Sequence, residues 1–96
     1  MFLLVIFIKF DHVNDMNIFI KEFNILKKYC DINESDFLLQ YEFGISDKED
    51  NKVIIIEKYL DKDFYVNIHR KSSQFLNFKI NTSSLKFSIS GESFII

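Results

Sequence analysis

The chain has 96 residues, 12 Lys and Arg against 14 Asp and Glu for a net charge of −2, and 48% hydrophobic residues including 12 Phe. That length predicts one domain over 1–96, and 27% charge of mixed sign excludes the composition of a disordered chain. A weakly acidic chain without a basic stripe gives no footprint for nucleic acid, and the single Cys30 excludes an internal disulfide framework and fits a reducing compartment, hence an expected cytoplasmic location.

The opening run MFLLVIFIKF lacks a basic leader and a small-residue cleavage site, and is far shorter than the roughly 20 residues a membrane-spanning helix needs. Its β-branched and aromatic residues predict a strand over Phe2–Phe10, apolar at both parities until Lys9. Asp11–Asn14 reads as a turn, with Asn14 or Asp15 expected to cap a helix. From Met16 to Tyr29 that helix carries an apolar stripe at Phe19, Phe23, Leu26 and Cys30. Asp31–Asp36 is a polar connection. Phe37, Leu39, Tyr41, Phe43 and Ile45 then alternate with polar or small neighbours as a second strand, and Val53–Tyr59 follows the Ser46–Lys52 turn as its hairpin partner.

Asp61 is placed to cap a second helix, expected from about Lys62 to Lys71, with Ser72 and Ser73 at a bend and Gln74–Ile80 as a further helical piece. Leu85, Phe87 and Ile89 alternate as a last strand, and Gly91 suggests a bend before the apolar Phe94–Ile96. The order is β-α-β-β-α-β, an α+β, ferredoxin-like arrangement with a four-stranded antiparallel sheet. Two helices on one face leave the other face bare, and pairing with a second copy as a homodimer is the expected solution.

The residues resemble the antibiotic biosynthesis monooxygenase domain, a dimeric α+β barrel. Leu39-Gln40-Tyr41-Glu42, the acidic Ser46–Lys52 turn, Glu57-Lys58-Tyr59, Asp61, His69, Ser72 and Phe75 fall in that family's order. The similarity covers nearly the whole chain. His69-Arg70-Lys71-Ser72-Ser73 also looks like the branch that isomerises phosphorylated autoinducer-2. His69 lies one residue further from Asp61 than the family pattern gives, a bulky Phe64 or Tyr65 occupies its small position, and Ser73 stands where Pro often does. A haem-cleaving branch is excluded, because Phe7 and Lys79 stand roughly where its Asn and proximal His belong.

The resemblance implies chemistry without metal, flavin or other cofactor. A phenolic or quinol-like small molecule loses a proton, and its electron-rich anion reacts directly with oxygen. His69 is the candidate base, since imidazole titrates near neutrality; Tyr59 and Tyr41 are candidate donors to the developing anion. Glu57, Arg70, Ser72 and Phe75 are candidate substrate-binding residues. An isomerase acting on a small phosphorylated carbonyl compound needs the same proton-transfer equipment, and a dimeric binding module needs only the pocket. With two His and one Cys, a dedicated metal cluster is not expected.

Overall fold

The computed structural model describes residues 1–96. Its strands are β1 (Phe2–Phe10), β2 (Leu38–Ile45), β3 (Lys52–Tyr59) and β4 (Phe87–Ile95); its helices are α1 (Val13–Asn33), α2 (Lys62–Asn67) and α3 (Ser73–Thr82), with a 3₁₀ turn at His69–Lys71 between the last two. The sheet order is β2-β3-β1-β4, antiparallel throughout. This is the ferredoxin-like β-α-β-β-α-β arrangement, its second helical unit broken into pieces.

Alternation along the strands decides which side chains meet the helices. Phe2, Ile8 and Phe10 of β1 and Val53, Ile55, Glu57 and Tyr59 of β3 are buried on the helix side. Against them α1 lays Met16, Phe19, Phe23, Leu26 and Cys30, a stripe spaced by threes and fours that one helix face must present. Aromatic rings fill the space between the layers, with Phe10, Phe19 and Phe87 within 6.0 Å of one another and Phe23 against Phe43 at 5.3 Å.

The opposite face carries Leu3, Val5 and Phe7 of β1, with their cross-strand partners Ile56, Ile54 and Phe94. No helix of this chain covers it; Phe7 remains 45% exposed.

Four local expectations differ from what is found. The N-cap of α1 is His12, whose side chain makes no capping bond; Asp15 instead accepts from the Lys86 backbone N–H at 3.0 Å and ties the start of the helix to the entry of β4. In β2 the register shifts between Leu38 and Gln40, so Leu38 and Tyr41 both face the core while Leu39 turns out to 48% exposure. A bulge of this kind inserts one residue and reverses the parity of everything before it. The second helix stops at Asn67 because the Ser72 hydroxyl accepts from Phe75 N–H and begins a separate helix, leaving His69–Lys71 in a tight turn. β4 begins at Phe87, two residues later than read from the alternation, and runs through Gly91 without a bend. Gly91 has an ordinary φ, and a Cβ there would lie 3.3 Å from the Val5 carbonyl oxygen.

Candidate active site

The 3₁₀ turn delivers His69 into the interior, where it is 0% exposed. Two features hold the turn. Asp61 caps α2 by accepting from the Asp63 and Phe64 N–H groups, and the Ser72 hydroxyl donates to the His69 carbonyl at 3.1 Å while capping α3. The imidazole Nδ1 lies 2.7 Å from Glu34 Oε1 and 3.8 Å from Cys30 Sγ, both from the C-terminal end of α1. Its Nε2 faces Glu57 Oε1 at 3.9 Å, too long for a hydrogen bond. That same oxygen accepts a 2.6 Å bond from the Tyr59 hydroxyl. Tyr41, Tyr59 and Phe75 surround the imidazole with ring centroids 5.1 to 5.6 Å away.

Burial raises the proton affinities of five ionisable groups here. Desolvation pushes the Glu57 carboxyl up from the usual carboxylate range, with the Tyr59 bond and the His69 imidazole pulling partly back. Burial, reinforced by Glu57, likewise pushes up the phenols of Tyr41, Tyr59 and Tyr65. Cys30 is driven well above the usual thiol range, first by burial and then by Glu34, so it packs as a neutral thiol and not as a nucleophile.

Beside the cluster lies a cavity of about 410 Å³ between the sheet and the helices. Ile6, Ile8 and Ile55 form its floor, and Phe19, Phe23 and Phe78 part of its walls. Its polar lining includes Tyr41, Glu57, Tyr65, Arg70 and Lys79, with Glu57 its only acidic residue. Arg70 also stands 5.7 Å over the Tyr65 ring.

Of the residues singled out from the sequence, Tyr41, Glu57, Arg70 and Phe75 therefore line one cavity. His69 and Tyr59 are not in its lining and lie behind Glu57, Tyr41, Tyr65 and Phe75. Ser72 is used as a helix cap. The sequence places Glu34 only in a polar connection, yet it is 2% exposed and bonded to His69. Its signal was its place four residues after Cys30, which continues the buried stripe of α1. Tyr65, a bulky residue near the family's small position, is a cavity wall.

Cys30, Glu34 and His69 are also the one buried set of mixed donors, with ligand atoms within 4.8 Å of one another. The Nδ1–Glu34 separation is a hydrogen-bond length and burial keeps the thiol neutral, while Glu34 Oε2 and His69 Nε2 are left buried without hydrogen-bond partners.

No protein-family model and no curated protein matches the sequence. Solved structures do. A Lactobacillus acidophilus protein provisionally named a monooxygenase superposes with a TM-score of 0.87 at 15% identity, over 98% of this chain and 43% of that longer one. A Nitrosomonas europaea protein, provisionally an antibiotic biosynthesis monooxygenase, gives 0.82 at 8% identity over 100% and 98% of the two chains. The fold is that of the antibiotic biosynthesis monooxygenases. A protein from an uncultured marine organism, described as a dimeric ferredoxin-like protein, gives 0.75 at 16% identity over 100% and 94%. At these identities the likeness to the monooxygenases is one of architecture, and the chemistry has to be argued from the cavity. No helix of the chain is long and apolar enough to cross a membrane.

Proposed function

We propose that this protein is a small cofactor-independent monooxygenase of the antibiotic biosynthesis monooxygenase type, binding an aromatic or quinol-like molecule in the 410 Å³ cavity and oxidising it with molecular oxygen. One observation carries the reading: a largely apolar, aromatic-walled cavity presents a single carboxyl, Glu57, whose proton affinity burial has raised. A flat apolar substrate matches such walls, and a carboxylate of raised basicity is a better acceptor for a phenolic proton than an exposed one. Glu57 takes that proton, Tyr41 and Tyr65 offer hydroxyls to the resulting oxyanion, and the anion's electron density reacts with oxygen. His69 serves this step from behind Glu57 and does not meet the substrate. Arg70 and Phe75 shape the wall, and Tyr59 fixes the carboxyl.

The bare sheet face is the homodimer surface in this reading. Leu3, Val5, Phe7, Ile54, Ile56 and Phe94 form a patch whose burial against a second copy removes apolar area from water. The marine neighbour's description as dimeric supports a dimer without saying which face pairs.

A dimeric binding module without turnover is the second reading, favoured by the complete burial of His69 behind the cavity wall. Oxygen uptake with a panel of benzo- and naphthohydroquinones separates the two. The monooxygenase reading expects uptake that falls by about 10² to 10⁴ in Glu57→Gln, the usual contribution of a general base. Binding of the hydroquinones without uptake establishes the module instead, and full uptake in Glu57→Gln removes Glu57 from the mechanism.

A further inference from the structure

We propose that Glu34 is a positioning residue of this site, acting on Glu57 through the imidazole of His69. The three side chains form a line of buried ionisable groups drawn from α1, the 3₁₀ turn and β3, with exposures of 2%, 0% and 5%. In the proposed arrangement Glu34 is a carboxylate, which only accepts, so across its 2.7 Å contact with Glu34 Oε1 the imidazole carries its proton on Nδ1. Nε2 is then the free nitrogen. It has no hydrogen-bond partner, is sealed from solvent, and its nearest carboxylate oxygen belongs to Glu57, 3.9 Å away.

This geometry gives a proton captured by Glu57 from a cavity hydroxyl one buried acceptor to move to. A rotation of the carboxyl by about 1 Å brings the pair within hydrogen-bond reach. The O–H bond on Glu57 then breaks, its electron pair stays on the carboxylate, and an N–H bond forms at Nε2. The positive imidazolium so produced is balanced by the Glu34 carboxylate on its other nitrogen, the same role a buried carboxylate plays behind the histidine of a hydrolase triad. The reverse path returns the proton to the product oxygen.

Other groups face Glu57 as well: Tyr59 from its own strand, Tyr41 from β2, Tyr65 from α2, Arg70 from the 3₁₀ turn and Cys30 from α1. The phenols and the thiol are neutral. Glu34 differs from all of them in having two opposed effects on Glu57. Its direct repulsion favours a protonated Glu57, whereas the cation it supports on His69 favours an ionised one. The sign of its removal therefore reports which effect operates.

The proposed catalytic reading supplies the importance of this linkage, but the linkage itself is measurable on the ligand-free protein. Side-chain 13C NMR follows the Glu57 carboxyl against pH in the wild type, Glu34→Gln, His69→Gln and the double variant. Action through the imidazole expects the Glu57 titration in Glu34→Gln to move up in pH when His69 is present and not to move up when it is absent. A downward move in both backgrounds leaves only direct repulsion and overturns the proposal. Imidazole 15N spectra of the wild type give a second reading that needs no variant to fold: His69 is expected to be protonated at Nδ1, and a bare Nδ1 beside a protonated Nε2 overturns the proposal. A stoichiometric divalent metal lost on Cys30→Ser also overturns it, since Nδ1 would then be a ligand. Failure of hydroquinone turnover sinks the monooxygenase reading without touching these titrations.

Discussion

The two ends of β1 are equally buried and entirely different. At the Phe10 end, Phe19 and Phe87 pack ring against ring with no polar atom among them. At the Phe2 end the strand meets Tyr59 and Tyr65, and beyond them the Glu57–His69–Glu34 line. Burial stabilises the first region and works against the second, because every Å² removed from water favours a phenyl ring and disfavours a charge. Folded proteins are stable by only about 5–15 kcal/mol. Retaining two buried carboxyls and a histidine where apolar side chains would pack is therefore a cost borne at the place where chemistry is proposed.

The contrast can be broken most sharply at its apolar end. Phe23→Ala empties a site between Tyr41, Phe43 and Phe78 and should destabilise the fold by about 3–5 kcal/mol, as read by urea unfolding. A loss under about 1 kcal/mol would mean the aromatic packing is looser than the contacts imply. Leu38→Ala should cost about 2–5 kcal/mol, whereas Leu39→Ala should stay within about 0.5 kcal/mol, because the bulge sends the second leucine to solvent. Equal effects would remove the bulge.

Glu57→Gln tests the polar end. The folded carboxyl binds its proton more tightly than the unfolded one, so the folded state is favoured at low pH and that advantage is lost as pH rises through the folded value. The difference in melting temperature between Glu57→Gln and the wild type should accordingly favour the variant more at pH 8 than at pH 5. A difference independent of pH would show that Glu57 titrates alike in both states. On the far face, Phe7→Asp should change assembly and leave the monomer fold nearly unaffected; light scattering that finds the wild type a monodisperse monomer at micromolar concentration contradicts the dimer outright.

Much of the architecture was legible because it depends on periodicity. The stripe Phe19, Phe23, Leu26, Cys30 determines α1 and the face it buries, and the β-branched run Val53–Ile56 determines β3 as a strand without choosing its buried face. Apolar at both parities, Val53–Ile56 did not show which way Glu57 points, and a carboxylate at a strand end is ordinarily solvated, so its burial at 5% exposure was not legible. What periodicity cannot show is pairing across the chain: Glu34 meets His69 over 35 residues, and no local rule predicts it. The bulge at Leu39 carried no Gly or Pro to announce it, so the inward set of β2 read one residue out of phase before Tyr41. The break between α2 and α3 turned on whether Ser72 ends one helix or caps another. That choice decides where His69 points, behind the cavity wall instead of into it.

Whether Glu57 takes a proton from a hydroxyaromatic molecule in the cavity is read by an anaerobic titration with 1,4-naphthohydroquinone. Without oxygen the deprotonated ligand accumulates, so its phenolate absorption and the Glu57 carboxyl resonance can be followed together. The account predicts that the phenolate band grows with ligand bound to the wild type while Glu57 shifts to its protonated position, and that Glu57→Gln binds the ligand without the band. A phenolate band of equal size in Glu57→Gln, or a bound ligand that leaves the Glu57 resonance unmoved, would contradict it.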